Sequence, residues 1–166
     1  PDVDARTHAK IATGKSENKF GIPISRARDV YGLAASLPGL KVVGIDVHIG
    51  SQLTELEPFE AAYEKVAELT GQLRAEGHAI SRLDLGGGLG IPYHPDETVL
   101  ELPLLAEGVR SAFRRFEFEM GFMPRLYMES GRYITGAHGV LVTRVLNRKE
   151  TYRTYIGVDA NMTSLM

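Results

Sequence analysis

No cysteine occurs in the 166 residues, which excludes a disulfide framework, a thiolate nucleophile and a sulfur-ligated metal cluster from the chain. Neither sign of charge dominates, with 19 Lys and Arg against 21 Asp and Glu, so bulk electrostatics points to neither nucleic acid nor an anionic membrane as partner. The apolar runs fall far short of the roughly 18 residues a membrane-spanning helix requires. Internal repeats and low-complexity segments are also lacking. Five histidines are present, but there is no His-Glu-x-x-His and no cluster of carboxylates along the sequence, so no metal site is expected. A Gly-x-Ser-x-Gly nucleophile elbow is missing too. The start, Pro1-Asp2-Val3-Asp4, has neither the basic nor the apolar region of a signal peptide. The expectation is a soluble, cytoplasmic protein, and both ends read as the interior of a longer sequence.

What the chain does have is glycine, 18 of 166 residues or about 11%, against a usual share of roughly 7%. The apolar share of 43% and charged share of 24% are those of an ordinary globular chain. Strand-like runs alternate with helical periodicity. Val42 to Ile49 is short and β-branched, and Phe59, Ala62, Tyr63, Val66, Leu69 and Leu73 then recur at helical spacing between Pro58 and Gly77. Ile80 to Leu85 reads as a second strand, 86 to 95 as a loop, and Val109, Ala112, Phe113, Phe116 and Met120 as a helix closed by Gly121. Arg125 to Glu129 is the third strand. Upstream, Val30, Leu33, Ala34 and Leu37 line one helix face that ends near Pro38-Gly39, after a possible strand end at 19–22.

Such alternation predicts βαβ units and a parallel sheet. After residue 136 the pattern changes: Gly139 to Asn147 and Thr154 to Asp159 read as an antiparallel hairpin with no helix between them. The expected fold is α/β, the later part of a (β/α)8 barrel at 1–136, followed by the first strands of a C-terminal β domain at 137–166. A complete barrel of this kind takes about 250 residues.

Three strand ends carry the chemistry. Asp46 and His48 lie two apart and so share a face, and Gly50-Ser51-Gln52 follows them. Leu83-Asp84-Leu85 runs into Gly86-Gly87-Gly88-Leu89-Gly90, where residues without side chains let backbone N–H groups close on an anion. A tight turn without a ligand is the plainer alternative. The run does not fit the dinucleotide fingerprint, whose third glycine would fall at Ile91, and Gly14-Lys15-Ser16 does not complete a P-loop. Glu129-Ser130-Gly131-Arg132 puts a carboxylate and a cation beside a glycine, a pattern also compatible with a surface ion pair. Catalytic groups of parallel barrels gather at the rim formed by such strand ends.

Taken together, 19–22, His48-Ile49-Gly50-Ser51-Gln52, Leu83 to Ile91 with Tyr93, Glu129 to Arg132, and Asp159-Ala160 resemble the fold type III decarboxylases that use pyridoxal 5′-phosphate. The resemblance covers nearly the whole chain. It implies that His48 packs on the pyridine ring and that Ser51 with Gly86, Gly87, Gly88 and Gly131 holds the phosphate. Glu129 would face the pyridine nitrogen, and Arg132 would supply a fixed charge near the phosphate or the substrate carboxylate. His48 and Glu129 are thus the expected catalytic residues, and Arg132 the expected substrate-binding one. Ser130 stands where the family usually has proline, which should loosen that turn.

The His-Ile-Gly-Ser-Gln wording is most similar to the branch that converts meso-2,6-diaminopimelate to L-lysine and CO₂, the last step of bacterial lysine synthesis. Relatives acting on arginine or ornithine share the other elements, and a pyridoxal phosphate-binding module without catalysis is the non-enzyme alternative. The resemblance places the Schiff-base lysine upstream of Pro1; none of Lys10, Lys15, Lys19, Lys41, Lys65 and Lys149 has its context. It also implies a homodimer with shared active sites. These 166 residues are therefore expected to be a fragment, inactive alone, with uncovered strand edges and helix faces.

Overall fold

The computed structural model describes residues 2–6, 12–14 and 20–164. Lys10, Lys15, Ser16 and Lys19, which the sequence reading singled out, lie outside the described residues. Two compact units are formed, Pro1–Gly136 and Ala137–Met166.

In the first unit a 3-10 turn at Ile24–Arg26 leads into α1 (Ala27–Ser36), β1 (Gly44–Asp46), α2 (Glu57–Ala75), β2 (Arg82–Asp84), α3 (Leu102–Met120), β3 (Arg125–Tyr127) and α4 (Gly131–Thr135). The strands form a parallel sheet in the order β1-β2-β3. Its register aligns Ile45 with Leu83 and Leu126, and Asp46 with Asp84 and Tyr127. The strands are shorter than the expected Val42–Ile49, Ile80–Leu85 and Arg125–Glu129 because regular pairing narrows to three residues. Single backbone hydrogen bonds prolong the ladder: Ser81 N–H to Val43 O, Val47 N–H to Asp84 O, Leu85 N–H to Tyr127 O and Glu129 N–H to Gly86 O. Residues 20–22 show bends and coil in place of the expected strand end, and Phe20 and Ile22 are exposed.

Side-chain alternation divides the sheet into two faces. Ile45, Val47, Ile49, Leu83 and Leu85 are buried with the apolar stripes of α2 and α3, in one core that includes Phe59, Val66, Leu73, Phe113 and Phe116. Asp46, His48 and Asp84, on the alternate positions, are left partly or largely accessible. The helices are well delimited. Pro58 sits in the first turn of α2, where its missing N–H costs nothing, beside Glu57 and Glu60, which suit the positive end of the helix dipole. Gly121 ends α3 at φ 65°, its N–H on Glu117 O. Arg74 in the last turn of α2 donates to Ile80 O at 3.0 Å and lies 3.6 Å over the Phe122 ring, closing the route from α2 into β2.

Two segments depart from expectation. The apolar face of α1 is largely uncovered, with Leu33 60% exposed; helical periodicity reports a face, not what covers it. The N-terminal residues, unassigned from sequence, are built onto the sheet: Val3 N–H donates to Gly14 O, the Thr13 and Gly14 N–H groups both donate to Ile49 O, and Val3 and Ala5 are buried.

In the second unit β4 (Val145–Glu150) pairs antiparallel with β5 (Thr154–Val158), with an irregularity between Val145 and Asn147. Residues 139–144, expected within the first strand, are not strand. Asp159 accepts from the Arg144 N–H and the Thr143 hydroxyl, and these bonds hold its carboxyl below the usual range.

Candidate functional site

The rim of the sheet is assembled by backbone packed against backbone. A Cβ on Gly86 would lie 2.2 Å from Val47 O, and one on Gly87 would lie 2.1 Å from Glu129 O. No side chain fits either gap. Gly86 also holds φ 70°, which side-chain-bearing residues rarely adopt. The glycine run is thus the wedge by which the central strand end meets both neighbours. On one side the Gly87 N–H donates to His48 Nδ1 at 3.3 Å; on the other, the Glu129 N–H donates to Gly86 O at 2.8 Å.

That contact sets the imidazole. With Nδ1 accepting from a backbone amide, the neutral ring carries its proton on Nε2. Asp84 Oδ1 accepts from the Gly86 N–H at 3.0 Å, fixing the first bend of the run. Beyond it, Leu53 N–H donates to Gly88 O and Gly90 N–H to Leu53 O, both at 2.8 Å. The segment after β1, which carries Ser51 and Gln52, and the loop after β2 are therefore laced together at Leu53.

Carboxylates gather here, contrary to the expectation of none clustered. Asp46, Asp84 and Glu129 each bring an oxygen within 4.8 Å of the others. The parallel register explains what the linear sequence hides: Asp46 and Asp84 are cross-strand partners, and Glu129, two residues after their partner Tyr127, falls on the same face of the sheet. Partial desolvation, reinforced by the Asp84 charge, raises the Asp46 carboxyl above its ordinary value, and His48 opposes the shift. An anionic patch of this kind suits a positively charged ring or ammonium group.

Of the expected site residues, His48, Gly86, Gly87 and Glu129 meet directly, and Gly88 joins through Leu53. Gly131 and Arg132 open α4, a short helix that sequence patterning did not disclose. Arg132 turns to Gln52, its Nη1 donating to Gln52 Oε1 at 3.4 Å. The sequence marks Gln52 only as part of a motif; its φ of 61°, unusual for a residue with a side chain, is set by the folded loop. Tyr93 is exposed. Among the described lysines, Lys41 precedes β1, Lys65 lies on α2 with Nζ donating to Asp2 O at 2.8 Å, and Lys149 lies on β4.

Comparison with known proteins follows the same lines. Residues 1–136 match the family described as pyridoxal-dependent decarboxylase, pyridoxal binding domain. The diaminopimelate decarboxylase of Pseudomonas aeruginosa is 46% identical over 167 residues, taking in 100% of this chain and 39% of that protein. The diaminopimelate decarboxylase of Helicobacter pylori, crystallised with L-lysine, matches with a TM-score of 0.83 at 37% identity, covering 98% of this chain and 39% of that one. The lysine decarboxylase of Selenomonas ruminantium matches with a TM-score of 0.72 at 26% identity, covering 90% of this chain and 39% of that one.

The chain belongs to the pyridoxal-dependent decarboxylase family, in its pyridoxal-binding domain. It spans about two-fifths of the length of the curated relatives it matches. The α/β fold expected from sequence, part of a pyridoxal-binding barrel, is the fold of these relatives. Among the described residues, no helix is long and apolar enough to cross a membrane.

Proposed function

We propose that the whole protein is a pyridoxal 5′-phosphate-dependent decarboxylase that converts meso-2,6-diaminopimelate to L-lysine and CO₂. The observation that carries this reading is the meeting of three strand ends at one rim, with Gly87 wedged between His48 and Glu129. The donor set suits the cofactor. Gly88, partly accessible at the rim, bears no side chain to hold a phosphate off, a carboxylate suits a protonated pyridine nitrogen, and a guanidinium suits an anion. The cofactor, when bound, supplies the electron sink for the pair released as the carboxylate leaves.

The residues of this chain then have distinct tasks. Ser51, Gly86, Gly87, Gly88 and Gly131 hold the phosphate. His48, its ring fixed by the Gly87 N–H, presents a flat face for stacking. Glu129 keeps a proton on the ring nitrogen through its negative charge, in a patch that Asp46 and Asp84 make more anionic. Arg132 binds an anion, the phosphate or a substrate carboxylate, through its planar fork of donors. We assign no metal to the three carboxylates.

Residues 1–136 serve as the cofactor-binding part of the barrel, and 137–166 as the first strands of a C-terminal β domain. The enzyme is a cytoplasmic homodimer with shared sites, and residues 1–166 do not catalyse the reaction by themselves. The named relatives support diaminopimelate as substrate. The deciding experiment offers the whole protein diaminopimelate, lysine, arginine and ornithine in turn and follows CO₂. Release from diaminopimelate at least about tenfold faster than from the others is expected. Faster release from another amino acid would move the substrate; cofactor binding without release from any would leave a binding module.

A further inference from the structure

We propose that Gln52 is a positioning residue that couples the loop after β2 to Arg132 and holds the guanidinium where the site needs its charge. The inference rests on the proposed cofactor site and deepens it. Gln52 Nε2 donates to Ile91 O at 2.5 Å, and Gln52 Oε1 accepts from Ile91 N–H at 3.3 Å. One carboxamide thus serves both polar groups of a backbone unit that is buried, Ile91 being 9% exposed. The same Oε1 has a second lone pair, and Arg132 Nη1 donates to it at 3.4 Å.

Three features make this more than a local contact. Gln52 sits at φ 61°, where glycine would be at ease, so the position keeps its side chain against a backbone preference. Its neighbour Leu53 already pairs with Gly88 and Gly90, so the carboxamide adds a further rung to the same lacing, at the side nearest Arg132. A Cβ on Gly136 would lie 2.6 Å from Ile91 Cδ1 and 2.7 Å from Arg132 O, so Ile91 packs against the helix that carries Arg132. Only an amide can donate to Ile91 O while accepting from both Ile91 N–H and Arg132. A carboxylate would set oxygen against oxygen at Ile91 O, and an aliphatic chain would leave all three groups without this partner.

The test uses the whole protein freed of cofactor, and its Gln52→Gly, Gln52→Glu, Arg132→Ala and Gln52→Gly/Arg132→Ala variants. Two readouts are taken: the dissociation constant of pyridoxal 5′-phosphate by equilibrium titration, and KM and kcat for diaminopimelate after cofactor is restored. Arg132→Ala identifies which constant depends on the guanidinium. Gln52→Gly, which relieves the backbone, should weaken that same constant by about tenfold, a difference of about 1.4 kcal/mol. In the double variant the Gln52 change should add less than about twofold. Gln52→Glu, which keeps an acceptor for Arg132, should restore the constant to within about threefold of the parent while lowering the unfolding midpoint.

A Gln52→Gly constant within about twofold of the parent would overturn the proposal, as would effects of Gln52 and Arg132 that multiply undiminished. Should Gln52→Gly not fold, Gln52→Glu decides: retention of the Arg132-dependent constant supports the coupling, and its loss to the level of Arg132→Ala refutes it. A parent protein that binds no cofactor would instead sink the functional reading itself, a result distinct from variants that behave like a cofactor-binding parent.

Discussion

The parallel sheet and the β4–β5 hairpin are written in similar residues and end in different circumstances. In β2, Leu83 is 1% exposed, paired on both sides and covered by the α2–α3 core. In the hairpin, Ile156 is 53% exposed and both strands lack a buried residue. β-propensity and alternation produce a strand in either place, but only packing decides what the strand is worth. The first unit carries its own core, whereas the hairpin's apolar side chains stay exposed. β3 stands between these cases, joined to the sheet by register while Leu126 stays 45% exposed.

The largest effect should come from the wedge. Gly87→Ala places a methyl group against Glu129 O, and the strand ends must separate, at roughly 3 kcal/mol or more, with loss of cofactor affinity. Chemical denaturation and cofactor titration of the whole protein check both, and an unchanged titration would break the link between rim packing and site.

The contrast between sheet and hairpin is tested next. Leu83→Ala should cost about 3 kcal/mol. Ile156→Ala should cost about 2 kcal/mol in the whole protein if the β domain covers it, more than its exposure here warrants. A cost for Ile156→Ala within about 0.5 kcal/mol would mean that the hairpin remains surface.

The smallest effect concerns the carboxylate row. The Asp46 carboxyl is raised in the folded state, so its protonated form is favoured by folding. The resulting stability is fully present below the ordinary value of 3.8 and is lost as pH rises through the raised folded value. Asp46→Asn should therefore match the parent at pH 3 and exceed it at pH 7, by no more than a few tenths of a kcal/mol because the residue is exposed and screened. Unfolding curves at the two pH values check the sign; a variant less stable at pH 7 would show that the ionised carboxylate stabilises the rim.

Much of the fold could be read from residues whose signals are local. Pro58 and Gly77 bracket α2, Gly121 closes α3, and the β-branched runs locate the strands. The three site motifs were each visible because glycine, histidine and paired charges stand out at strand ends. What escaped depends on register and closure. The Asp46, Asp84 and Glu129 cluster exists only once parallel pairing aligns distant residues. α4 is five residues long, too short for periodicity to mark. Gln52 carries no signal in its type; its importance lies in the Ile91 backbone and the Arg132 side chain that the fold brings to it.

The proposed activity depends on the Glu129 carboxylate beside the ring nitrogen. CO₂ release from meso-2,6-diaminopimelate by the whole protein, with and without pyridoxal 5′-phosphate, should be measured for the parent and for Glu129→Gln. Cofactor-dependent release yielding L-lysine, slowed at least roughly a hundredfold in Glu129→Gln while cofactor still binds, is the predicted result. Equal rates in parent and variant, or release that proceeds without the cofactor, would contradict it.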